Sequence, residues 1–118
     1  ILTQTMEFIF HVPLMSKKRP RFTGKTAYMP KEYKEWKKNL AVQMKEWWTS
    51  EPLEKVERIH ITFHGPARHD GDNLIGAVMD TANKIIWVDD RVKIIPNGCW
   101  SWKLGKQANS FIHLKVIW

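Results

Sequence analysis

Apolar and polar residues alternate in three stretches of the chain and recur at helical spacing in two others. From Met6 to Val12, the residues Met6, Phe8, Phe10 and Val12 alternate with Glu7, Ile9 and His11, the period of a strand with one buried face. Pro13 ends that run, because proline cannot donate to a sheet ladder. Tyr33, Trp36, Leu40, Met44 and Trp47 then fall three and four apart, which predicts an amphipathic helix over Met29 to Trp48 with its lysines outward. Pro30 suits the first helical position, where a missing N–H costs nothing, and Ser50-Glu51-Pro52 stops the helix. Ile59, Ile61 and Phe63, alternating with Arg58, His60 and Thr62, predict a second strand over Val56 to His64, broken by Gly65-Pro66.

Leu74, Ala77, Val78, Thr81 and Ile85 predict a second helix of about three turns, with Asp70 or Asp72 capping its start. Trp87 to Val92 leads toward an extended segment containing Val92, Ile94 and Ile95. Asn97-Gly98 is a turn signal, and the chain resumes from Trp100 to Leu104. Ile112, Leu114, Val116 and Trp118, alternating with Phe111, His113 and Lys115, make a final strand. The predicted fold is a small α+β domain spanning residues 1–118, with a mixed or antiparallel sheet covered on one face by two main helices. Ile1 to Thr5, ahead of Met6, read as an upstream remnant.

Charge adds a partner to this picture. Nineteen lysines and arginines stand against twelve acidic residues, a net charge of +7, and the pI is near 9.7. That balance favours an anionic partner, nucleic acid first and a membrane surface second. Five cations, Lys17, Lys18, Arg19, Arg21 and Lys25, crowd the segment Ser16 to Lys25 around Pro20, Phe22 and Gly24, an exposed loop suited to phosphates. Cys99 is the one cysteine, so no intrachain disulfide can form, and a reducing cytoplasm is the expected compartment. No apolar run approaches the roughly 20 residues of a membrane span, so a soluble protein is expected.

Against that basic background, carboxylates gather around the second helix. Asp70 and Asp72 lie in His69-Asp70-Gly71-Asp72-Asn73-Leu74, and Asp90 closes Trp87-Val88-Asp89-Asp90. Carboxylates at close quarters repel unless a cation sits between them, and a hard ion such as Mg²⁺ takes oxygen ligands together with waters and substrate phosphates. Gly71 is expected to permit backbone angles that a side chain would hinder, letting Asp70 and Asp72 face one point. A strand running back beside the helix would bring Asp90 to them. An acidic metal site in a basic protein suggests phosphodiester chemistry. The competing reading is that these aspartates only cap a helix and polarise turns.

Residues 68 to 92, Arg-His-Asp-Gly-Asp-Asn-Leu followed by Trp-Val-Asp-Asp-Arg-Val, resemble the RusA family of Holliday junction resolvases, whose pattern is Asp-x-Asp-Asn, a helix, and Trp-x-Asp-Asp. Lys18-Arg19-Pro20-Arg21-Phe22 and Tyr28-Met29-Pro30-Lys31 are similar to that family's basic loop and entry to its first helix, so the resemblance runs from Phe8 to Val116. It implies a homodimeric endonuclease that binds four-way DNA junctions and makes paired, symmetric, Mg²⁺-dependent nicks, with Mn²⁺ as a substitute ion. Carried over, the catalytic, metal-binding aspartates are Asp70, Asp72 and Asp90, with Asp80 and Asp89 as candidates for supporting them. From the residues themselves, His69 beside the site is a candidate proton relay and the five loop cations are candidate DNA contacts. One position departs: where the family carries a helix lysine four residues after the second aspartate, this chain has Gly76. The loss implies attenuated cutting, or junction binding with little catalysis, unless Lys84, Lys93 or a loop cation takes over.

Phe22 and Pro20 are candidates to wedge into a junction's open centre. Of the remaining histidines, His64 flanks the site, while His11, His60 and His113 fall in strand patterns. Seven tryptophans are many for one small core, so some are expected at a subunit interface. Two further readings stay open: a nucleic-acid-binding module, and an interaction domain with an acidic patch.

Overall fold

The four long strands share one sheet in the order β1 (Thr5–Phe10), β6 (Phe111–Ile117), β4 (Arg58–Gly65), β5 (Gly98–Leu104). The computed structural model describes residues 3–118. β6 runs antiparallel to both β1 and β4, whereas β4 and β5 are parallel, so the sheet is mixed. Register turns the alternation into rows: Phe8, Leu114, Ile61 and Trp100 lie side by side, as do Phe10, Ile112, Phe63 and Trp102. Those rows face the core, where Phe8, Phe10, Ile61, Phe63, Ile112 and Leu114 are all buried. The helices supply its other half through Tyr33, Trp36, Leu40 and Met44 of α1 (Lys31–Trp47) and Leu74, Ala77 and Val78 of α2 (Gly71–Ala82). The opposite face is polar, with Thr62 and Ser101 hydroxyls 3.2 Å apart and His113 Nε2 3.1 Å from Glu7.

Parallel neighbours cannot be joined by a hairpin and need a crossover. Here α2 and the loop after it make that crossover from β4 to β5. The crossover puts the N-terminus of α2 just past the C-terminal end of β4, the end where open sheets with crossover helices usually carry their sites.

Several local expectations change. α1 starts at Lys31 with Pro30 as its cap residue, and it ends at Trp47. Trp47 is therefore half exposed. Trp48, leaving the helix with extended backbone, takes the buried place against Phe8 and Trp118. Ile85 lies beyond the end of α2. Val92, Ile94 and Ile95 form no strand: the N–H groups of Ile94 and Ile95 both donate to Arg91 O, which curls the segment into a turn. Gly98, read as part of a turn, is the first residue of β5. The second half of the basic loop is itself a hairpin, β2 (Arg21–Thr23) and β3 (Thr26–Tyr28), turned at Gly24 with φ 63°, a conformation that suits glycine. Of the expected N-terminal remnant, Ile1 and Leu2 lie outside the described residues, while Gln4 exchanges two backbone hydrogen bonds with Trp118 and Thr5 begins β1.

Candidate active site

Asp70 is the cap residue of α2, with extended backbone, and its carbonyl accepts the Leu74 N–H at 3.1 Å. Its carboxylate caps nothing, contrary to the expectation for this residue. Asp72 lies in the first turn, and both side chains are exposed. Among the described residues neither enters an ion pair. Two acidic side chains thus open to solvent at a helix N-terminus, where negative charge is favoured.

The glycine between them has a different reason from the expected one. Gly71 is an ordinary helical residue, and the positive φ among the described glycines belongs to Gly24. What excludes a side chain is the Trp100 ring of β5, since a Cβ on Gly71 would overlap its Cζ2 and Cη2 atoms. Beside this contact lies a cleft of about 180 Å³ lined by Pro66, His69, Leu74, Trp100 and Trp102. Gly71→Ala is expected to displace the indole and lose about 1–3 kcal/mol of stability, seen as a lower urea midpoint; an unchanged midpoint would mean that the ring moves freely.

The basic segment is stitched to this helix end. The Lys17 N–H donates to Asn73 O at 2.9 Å, and Ser16 Oγ lies 2.8 Å from His69 Nδ1. Burial first, then the charges of Arg68 and Lys18, holds His69 below the ordinary histidine range, so its ring is neutral at neutral pH. His69 Nε2 is buried and has no hydrogen-bond partner among the described residues. Lys17, Lys18, Arg19, Arg21 and Lys25 are all exposed, and Phe22 stands 76 % exposed on the hairpin.

The other acidic residues are arranged differently. Asp80 receives Lys37 Nζ at 2.6 Å, which ties α2 to α1. The Tyr33 hydroxyl is pushed up to about 12 by burial and then by the Asp80 charge, while staying outside hydrogen-bonding geometry. Asp89 is held by its neighbour Arg91, whose N–H and guanidinium both donate to it at 2.9 Å. That hydrogen bonding lowers the Asp89 pKa. Asp90 is exposed on the loop. The strand expected to carry Asp90 back is a loop with turns. Among the described residues no three or more His, Cys, Asp or Glu side chains lie close enough to hold one ion. Asp70 and Asp72 share a helical turn, and with Asp90 they do not form one cluster among the described residues.

A family model described as endodeoxyribonuclease RusA matches residues 11–113 of the chain. The chain belongs to the RusA family. The matched stretch holds the basic segment, both helices and both aspartate motifs. RusA membership indicates a Holliday junction endodeoxyribonuclease. No curated protein matches the chain. Among the described residues no helix is long and apolar enough to cross a membrane.

Within this RusA domain, sequence reasoning missed the roles of Ser16, Lys37 and Trp100. Ser16 anchors the basic segment, Lys37 occupies Asp80, and Trp100 sets the size limit at Gly71. All three are long-range contacts, invisible to a periodicity.

Proposed function

We propose that this RusA-family chain cuts four-way DNA junctions by divalent-metal-dependent hydrolysis, in recombination and repair, as a homodimer in a reducing cytoplasm. The observation that carries the reading is the pair of exposed carboxylates, Asp70 and Asp72, without ion-pair partners among the described residues, on the turn of α2 to which the basic segment is anchored.

The donor set fits Mg²⁺, or Mn²⁺ in its place. Carboxylate oxygens are hard ligands, and one or two of them commonly suffice for Mg²⁺ when waters and substrate phosphates complete the octahedron. Asp70 and Asp72 would hold the ion, with Asp90 as the third proposed ligand. When bound, such an ion supplies Lewis acidity at the phosphate and an acidified water.

The chain's own groups do the rest. Lys18, Arg19, Arg21 and Lys25 neutralise backbone phosphates, so binding is expected to weaken steeply with salt. His69, neutral and bound to Ser16, keeps the basic segment against the helix end. Asp80, paired with Lys37, holds α2 on α1. Two opposed strands cut at equivalent points need two equivalent sites, which a twofold axis supplies; the half-exposed Trp47, Trp100 and Trp102 offer the apolar area that interfaces use.

A second reading is junction binding with weak or no cutting. It draws on glycine at position 76, where the resemblance implies a lysine. Cleavage of a labelled four-way junction, with a linear duplex as control, in Mg²⁺ and in EDTA, separates the two. Paired nicks on the junction alone, abolished by EDTA, are expected. Tight, metal-independent junction binding without nicks would favour the second reading, and salt-insensitive, weak binding would exclude both.

A further inference from the structure

Gly76 follows Asp72 by four residues and so lies on the same face of α2, one turn along. A Cβ at Gly76 would lie 3.2 Å from Lys17 Cδ and 3.7 Å from Lys17 Cβ. The aliphatic stem of Lys17 therefore lies on the helix where a residue-76 side chain would begin. Its backbone is fixed there too, by the Lys17 N–H to Asn73 O hydrogen bond, and the preceding Ser16 is held by His69.

We propose that Lys17 is the cation of the aspartate site that contacts the scissile phosphate, seated in the notch that Gly76 leaves on α2. This rests on the endonuclease reading above.

Position argues for Lys17, and against Lys84. Neighbouring side chains four apart on a helix have their Cβ atoms roughly 5–6 Å apart, so a stem lying over Gly76 is about one turn from the base of Asp72. Lys84 lies past the opposite end of α2, whose last residue, Ala82, is already about 15 Å along the axis from Asp72 at 1.5 Å per residue. The ammonium of Lys17 lies two bonds beyond Cδ, is exposed, and makes no ion pair among the described residues. In the hydrolysis, water adds to phosphorus, the bond to one bridging oxygen breaks, and that oxygen leaves carrying a proton. Negative charge grows on the non-bridging oxygens as this happens, and a fixed donor aimed at them acts mainly on the rate. Gly76 is then a seat for a lysine delivered from the loop, since any side chain there would crowd the stem.

The test uses Lys17→Met, which keeps the stem and removes the charge, and the double variant Lys17→Met with Gly76→Lys, which returns a cation from the helix. Junction cleavage is followed under single turnover at saturating protein, with junction affinity and urea midpoint measured separately. Lys17→Met is expected to cut roughly a hundredfold more slowly, with affinity changed only a few-fold and the midpoint unchanged. Recovery on adding Gly76→Lys supports the assignment independently. A wild-type rate for Lys17→Met overturns it and leaves the endonuclease reading standing, and a rate loss that tracks a lower midpoint and is not rescued also overturns it. Absence of any metal-dependent cutting by the wild type overturns the endonuclease reading and this inference together.

Discussion

Asp70→Asn and Asp72→Asn are each expected to slow metal-dependent junction cleavage by roughly a thousandfold or more, with junction affinity unchanged or tighter. The separation of the two effects follows from what these side chains touch. Neither carboxylate enters an ion pair among the described residues, and the Asp70 side chain makes no capping bond. Asparagine serves a cap position as well as aspartate, and Asp72 in the first turn gives up at most about 0.3–1 kcal/mol of helix-dipole interaction. Stability should therefore barely move, while removal of a negative charge near the bound phosphate favours DNA. The measurement is a single-turnover cleavage rate beside a binding isotherm and a denaturation curve for each variant. Near wild-type cutting by both variants would remove the two residues from the chemistry.

The largest structural effect is expected at Trp87. Trp87→Ala should lose about 3–5 kcal/mol, the range for truncating a buried large aromatic, out of a total that for such domains is about 5–15 kcal/mol. Trp87 is 0 % exposed, donates its indole N–H to Asn83 Oδ1 at 3.0 Å, and closes the turn after α2 through the Lys84 N–H to Trp87 O hydrogen bond. The next residue, Val88, donates its N–H to Leu53 O. Trp87 thus fixes the start of the loop that carries Asp89 and Asp90. Trp87→Phe keeps most of the apolar area and leaves the Asn83 carbonyl unpaired, so a loss of about 1–3 kcal/mol is expected. Urea denaturation of both variants checks the order. Equal midpoints for Trp87→Ala and the wild type would show that the ring contributes nothing to the core.

The legible parts of this fold are those whose burial repeats locally. Phe8 and Phe10, Ile61 and Phe63, and Leu114 and Val116 alternate because a strand turns successive side chains to opposite faces, and the rows they form need no knowledge of their neighbours. Tyr33, Trp36, Leu40 and Met44 are legible for the same reason at helical period. The hairpin Arg21–Tyr28 was missed because both its strands are exposed throughout, which leaves no alternation to read. Ile94 and Ile95 misled in the opposite sense, because a β-branched apolar run looks like a strand even where both residues are buried in a turn.

The sequence alone determined the α+β class, the basic segment, the two aspartate motifs and the resemblance that the RusA family match bears out, since these depend on residue type and spacing along the chain. Tertiary structure decided that β5 lies parallel to β4, that Trp100 covers Gly71, that Asp70, Asp72 and Asp90 do not form one cluster among the described residues, and that Lys17 lies across Gly76. Each of these is a contact between segments far apart in sequence. A crossover connection and core packing set such contacts, and no local periodicity encodes them.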